Sequence, residues 1–136
     1  MSAGKAAAPG MAGMPTQALE HVASYFQVLA EPTRLEILNL LRQGERNVGD
    51  LAQACGCTSA NISRHLALLM KRGLVARDNR GTSAYYRIAD DSVYALCDLV
   101  CGAVARRLER AAVESAAFAR TAQSRQPHKA KSPTRR

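Results

Sequence analysis

At 136 residues and a formal charge of +8, with 47% hydrophobic but only 4% aromatic residues, the chain fits one mostly helical domain with tails. No apolar run approaches the roughly 20 residues needed to cross a bilayer. The N-terminus also lacks the continuous apolar stretch of a signal peptide, so a cytoplasmic location is expected. The charge favours a nucleic-acid partner, yet Arg125, Lys129, Lys131, Arg135 and Arg136 all lie within residues 125–136, which leaves the body only mildly basic.

Residues 1–14 are rich in Ala, Gly and Met without periodicity and read as a disordered tail. The folded body is expected over residues 15–121, followed by a basic, disordered tail at 122–136. A first helix is predicted from Thr16 to Leu29, with Leu19, Val22, Ala23, Phe26 and Leu29 on one face. Glu31-Pro32-Thr33 interrupts it, and Pro32 suits a helix start because its missing N–H would have no partner there. The second helix carries Leu35, Ile37, Leu38, Leu40 and Leu41 and ends near Gly44. The third spans Val48 to Cys55, with Val48, Leu51, Ala52 and Cys55 at helical spacing. A tight turn follows at Gly56-Cys57-Thr58. Thr58 is placed to cap a fourth helix running to Arg72, whose apolar positions are Ile62, Leu66, Leu69 and Met70. Gly73 closes it. Two strands are expected at Leu74–Arg77 and Ala84–Ile88, joined by Asp78-Asn79-Arg80-Gly81. A last helix, capped by Asp90, starts at Asp91 and extends to about Ala119. Its stripe of Val93, Leu96, Cys97, Val100, Cys101, Val104 and Leu108 is longer than a small domain needs for its own core, so part of it is expected to meet another subunit.

Helix, tight turn, helix and a two-stranded antiparallel hairpin with a polar tip is the order of a winged helix-turn-helix. The expected fold is therefore mostly α with a small β-wing, about five helices, and dimeric. Such a module sets the N-terminal residues of its recognition helix against base edges in the major groove. Ser59, Asn61, Ser63 and Arg64 are spaced to face away from Ile62 and Leu66. Asn can pair bidentately with adenine and Arg with guanine. Lys71 and Arg72, at the far end, are placed for phosphates. Arg77 and Arg80 flank the wing loop and suit the DNA backbone or a minor groove. The competing reading is a solvated polar face, or a winged helix used against protein. His65 points with Leu66 and Leu69 toward the body and reads as a hydrogen-bonded core histidine. An enzyme is not expected, because there is no Ser-His-Asp order, glycine-rich phosphate loop or His-x-x-x-His pair.

Four cysteines form two close pairs. Cys97 and Cys101 share one face of the last helix. Cys55 and Cys57 bracket Gly56, whose backbone freedom lets two sulfurs converge. Two to four thiolates suit cadmium, lead, mercury or Cu(I), and three suit arsenite. The same pairs are open to oxidation or persulfidation. Equally, cysteine packs well as a small hydrophobe. The Cys97/Cys101 pair is the preferred sensing site, because its helix is expected at the dimer interface. No cofactor is expected for folding; a soft ion would act only as inducer.

The segments Leu29-Ala-Glu-Pro-Thr-Arg-Leu-Glu-Ile-Leu-Asn-Leu-Leu41, Val48-Gly-Asp-Leu-Ala and Ser59-Ala-Asn-Ile-Ser-Arg-His-Leu66 resemble the ArsR/SmtB family of bacterial repressors. So do Leu69, Gly73-Leu-Val75 and Tyr85-Tyr86-Arg87; together the resemblance covers about residues 18–105. It implies a homodimer joined through its first and last helices and an imperfect inverted-repeat operator in double-stranded DNA. It also implies release when a metal, metalloid or reactive sulfur or oxygen species is sensed. The family's sensing sites do not carry over. The Cys-x-Cys pair before the third helix meets Asn47 and Gly49. The zinc-type site of the last helix keeps Asp90 but meets Ser92, Ala103 and Arg106. The second helix, Ile37 to Leu41, has no thiol. The expected function is a homodimeric repressor released when cysteine thiols bind a soft metal or metalloid of the arsenite or cadmium type. Thiol-based redox or reactive-sulfur sensing is the alternative, and a protein-interaction module a more distant one.

Overall fold

The computed structural model describes residues 10–125. Most of the two tails read as disordered therefore lies outside the described residues. The chain divides into two compact units at the Asp91–Ser92 junction.

The first unit runs α1 (Thr16–Leu29), α2 (Pro32–Leu41), β1 (Arg46–Asn47), α3 (Val48–Cys55), α4 (Ser59–Lys71), β2 (Val75–Arg80) and β3 (Ser83–Ile88). Local chemistry sets each helix end. The Glu31 carboxylate accepts from the Arg34 backbone N–H at 2.8 Å, and Pro32 takes the first turn of α2. Asn47 caps α3 in the same way, accepting from Asp50 N–H at 2.8 Å. Gly56 leaves α3 at φ 64°, and Cys57 N–H returns to Ala52 O at 3.0 Å. Thr58 Oγ1 accepts from Asn61 N–H at 3.1 Å, so the predicted cap of α4 holds.

The core gathers one face from each element: Ile37, Leu38 and Leu41 of α2, Leu51 and Ala52 of α3, Ile62, Leu66 and Leu69 of α4, and Leu74, Val75 and Tyr86 beside them. The predicted stripe of α1 behaves differently. Val28 and Leu29 are buried, but Leu19 and Phe26 are exposed, so this face is not consumed by the core. Leu35 and Met70, expected as apolar positions of their helices, are also exposed.

The wing corrects the sequence reading twice. Asp78, Asn79 and Arg80 belong to β2, where they pair with Tyr85, Ala84 and Ser83, so the loop shrinks to Gly81-Thr82. These polar residues have weak strand propensity, and cross-strand pairing overrides it. Gly81 at φ 60° stands at the first position of a two-residue hairpin loop, where glycine is favoured. The second correction is a third strand. β1 pairs antiparallel with β3, Arg46 opposite Tyr86 and Asn47 opposite Tyr85, giving the order β1-β3-β2. Two residues show no periodicity, so only the distant partner reveals the strand.

The second unit is α5 (Ser92–Ser124). It begins one residue after the expected start and runs five residues beyond Ala119, so residues 122–124 are helical and not part of a tail. Ala, Gln, Arg and Glu beyond Leu108 are good helix formers and continue it. Thirty-three residues at 1.5 Å each make it about 50 Å long. Leu99, Val100, Val104, Leu108, Val113 and Phe118 are exposed along it. No helix among the described residues is long and apolar enough to cross a membrane.

Candidate nucleic-acid interface

α4 is docked by one face and offers the other. Ile62, Leu66 and Leu69 are fully buried, whereas Ser59, Ser63 and Arg64 are exposed near its N-terminus. Ala60 and Ala67 are exposed beside them and keep that surface low enough for close approach. Asn61 is half-buried, turned further toward the flank than its spacing predicted. Lys71 is exposed at the far end, and Arg72 is the half-buried C-cap.

A residue that sequence reasoning passed over holds this helix to its neighbours. Arg34 donates from Nε to Val28 O and from Nη2 to Gln27 O at 3.2 Å, closing the carbonyl end of α1. Its Nη1 lies 3.2 Å from His65 Nδ1 on α4. Guanidinium only donates, so Nδ1 accepts and the ring proton sits on Nε2. Glu31 Oε2 stands 3.8 Å from the same Nδ1. The hydrogen bond from the Arg34 backbone holds the Glu31 carboxyl below its ordinary value; desolvation opposes it, and the Thr33 backbone N–H and the Arg34 charge add to it. His65 is hydrogen-bonded as expected, but half-buried at the edge of the core instead of inside it. Glu31-Pro32-Thr33-Arg34 and Arg64-His65-Leu66, both within the segments that carry the family resemblance, were the available signal for this joint.

The wing does not bring its two arginines together. Residues alternate along a strand, so Arg77 shares the face of buried Val75 while Arg80 shares the opposite face with Asp78. Arg77 Nε bonds Asn79 Oδ1 at 3.1 Å and is exposed. Arg80 is bound bidentately by Glu45, and that pairing raises its already high pKa. Arg87, not foreseen, pairs with Asp78 at 3.1 Å.

Cys55, Cys57 and Cys97 are half-buried and Cys101 is exposed. Cys57 Sγ lies 3.5 Å from Cys55 O. Burial first, then the Glu36 carboxylate and the Cys57 thiol, pushes the Cys55 pKa up. Among the described residues, no group of three or more His, Cys, Asp or Glu is arranged to hold a metal ion.

Residues 31–77 match the sequence pattern of the arsR family of bacterial regulatory proteins. The chain is 42% identical over 87 residues to the HTH-type transcriptional regulator NmtR of Mycobacterium tuberculosis, covering 64% of this chain and 72% of that one. The chain belongs to the arsR family. As an ArsR-family regulator it is a DNA-binding transcriptional protein, and its winged helix is the DNA-reading module. The arsenical resistance operon repressor of Bacillus subtilis (strain 168) is 35% identical over 72 residues, 52% of this chain and 69% of that protein. The fold also matches the solution structure of a homodimeric winged helix-turn-helix DNA-binding domain, the 1–100 fragment of Mb0332 from Mycobacterium bovis. That structure has TM-score 0.63 and 37% identity, over 78% of this chain and 95% of that one. In this ArsR-family protein the family-matching segment ends inside β2, so it spans the Arg34 joint and all of α4 but not α5.

Proposed function

We propose that the protein is a homodimeric repressor. Each copy seats Ser59, Asn61, Ser63 and Arg64 of α4 in one of two successive major grooves of an inverted-repeat operator. The observation that carries this is α4 itself: a fully buried apolar spine backing a polar, exposed N-terminal half. Lys71, Arg72, Arg77 and Arg80 serve the phosphate backbone, with Arg80 reached only after its carboxylate partner yields. Dimerisation is supported by the apolar side chains left exposed on α1, Leu19 and Phe26, and on α5, Leu99 to Phe118. The homodimeric Mb0332 fragment supports it too. Pairing would space the two recognition helices about 34 Å apart, one turn of DNA.

Release from the operator is assigned to cysteine thiols binding a soft metal or metalloid. The arsenical-resistance relative supports the metalloid choice. Cys97 and Cys101 on α5 are the preferred pair, with Cys55 and Cys57 as the second. The raised Cys55 pKa lowers its thiolate fraction. Either pair brings two thiols, one short of a three-thiolate arsenite site. Oxidation or persulfidation of the same thiols is the second reading, favoured by the exposure of Cys101.

Both parts can be read in one titration against the protein's own promoter. Arg64→Ala is expected to weaken operator binding about tenfold or more, the loss of one bidentate base contact in each half-site, while random DNA is bound nearly as before. Equal loss on both DNAs would remove Arg64 from base reading. Separately, arsenite, cadmium, peroxide and persulfide are tested for release, with mass spectrometry identifying the adduct. The active agent is expected to lower affinity roughly 5–150-fold, and Cys97→Ser with Cys101→Ser to abolish the response. An intact response in that variant rejects the α5 pair as the sensor.

A further inference from the structure

Arg80 ends β2, the first strand of the wing hairpin, yet its guanidinium lies back along the sheet. Its Cζ stands 5.0 Å from the centre of the Tyr85 ring on β3. Nη1 and Nη2 reach Glu45 Oε1 and Oε2 at 2.6 and 2.8 Å. Glu45 immediately precedes β1, the edge strand on the other side of β3, so the pair spans the width of the sheet. Asp78, on the Arg80 face, is bonded to Arg87 Nε at 3.1 Å. The guanidinium fork that Glu45 occupies is the one that would grip two oxygens of a phosphate. The side chains of Arg80 and Glu45 are 55% and 37% exposed, so DNA can reach the pair and water already weakens it.

We propose that Glu45 is an internal competitor for DNA phosphate. It holds Arg80 in a neutral pair over Tyr85 until a backbone phosphate takes its place. Glu45 thereby lowers the sequence-independent grip of the wing and sharpens discrimination between operator and bulk DNA. This rests on the reading above that the wing meets DNA. Arg80 neutralised beforehand releases no net counterion when phosphate replaces carboxylate, whereas a freed Arg80 adds one full phosphate contact. Each such contact steepens the fall of log K with log salt by about 0.9.

The test is fluorescence anisotropy of the full chain on a random-sequence duplex between about 50 and 200 mM salt. Wild type, Glu45→Gln, Arg80→Gln and the double variant are compared after matching melting curves. Glu45→Gln is expected to bind roughly 2- to 5-fold tighter at the low-salt end, the range an exposed ion pair spans. Its salt slope should be steeper by about 0.9 for each subunit whose wing meets the duplex, about 1.8 for the dimer, and Arg80→Gln should erase both gains in the double variant. An unchanged slope, weaker binding by Glu45→Gln, or a gain that survives in the double variant would overturn the proposal. The last would reduce Glu45 to a contribution to net charge. If wild type binds no duplex at low salt, the wing–DNA reading itself fails, an outcome separate from the failure of Glu45 as competitor.

Discussion

Leu66→Ala is expected to destabilise the winged-helix unit by about 3 kcal/mol, within the 2–5 kcal/mol range for emptying a buried leucine site. Leu66 is fully buried, midway along the apolar spine of α4 between Ile62 and Leu69. Alanine is the better helix former, so α4 gains slightly in local propensity, and the whole loss comes from removed apolar contact and the cavity left behind. In a domain of this size the melting temperature should fall by roughly 10–20 °C, read by circular dichroism together with a urea titration. The neighbour Ser63→Ala, on the exposed face, should leave the melt nearly unchanged. A loss under about 1 kcal/mol at Leu66 would mean that α4 is not anchored by this spine, and the geometry assigned to Arg64 would go with it.

The second large effect is expected at Arg34. Its guanidinium closes two carbonyls at the end of α1 and meets His65 of α4. Arg34→Ala leaves the Val28 and Gln27 carbonyls without this donor and also removes the partner of His65 Nδ1. Hydrogen bonds from a charged donor are worth about 1.5–3 kcal/mol, and these share one side chain, so a total near 2–3 kcal/mol is expected. Arg34→Lys should recover only part of it, because one ammonium cannot present the planar fork that spans all three acceptors. Chemical denaturation of both variants measures this. Stabilities within about 0.5 kcal/mol of wild type, the range of ordinary surface substitutions, would show the joint to be incidental. His65→Ala in the Arg34→Ala background should then cost less than it does alone, because the two residues act as one network.

Much of the fold was legible because helix signals are local. Pro32, Thr58, Gly56 and Gly73 each act within a turn of the chain, and the predicted ends of α1 and α3 coincide with the observed ones. The spine Ile62, Leu66, Leu69 follows from spacing alone. The wing was less legible. Asp78 to Arg80 have the composition of a loop and become strand only through Ser83, Ala84 and Tyr85 opposite them. Arg77 and Arg80 looked equivalent as basic residues flanking a tip, until strand alternation put them on opposite faces and Glu45 claimed one of them.

From its residues alone, this chain determined the ends of α1 and α3, the apolar spine of α4 and the exposure of Ser59, Ser63 and Arg64, since capping and periodicity depend on neighbours a few positions away. Tertiary structure alone decided which charges are already spent. Glu45 and Arg80 are 35 positions apart, and Arg34 and His65 are 31 apart. Only the folding of β1 onto β3, and of α4 against the joint of α1 and α2, brings each pair within hydrogen-bonding distance, and no periodic signal in a sequence encodes such a meeting.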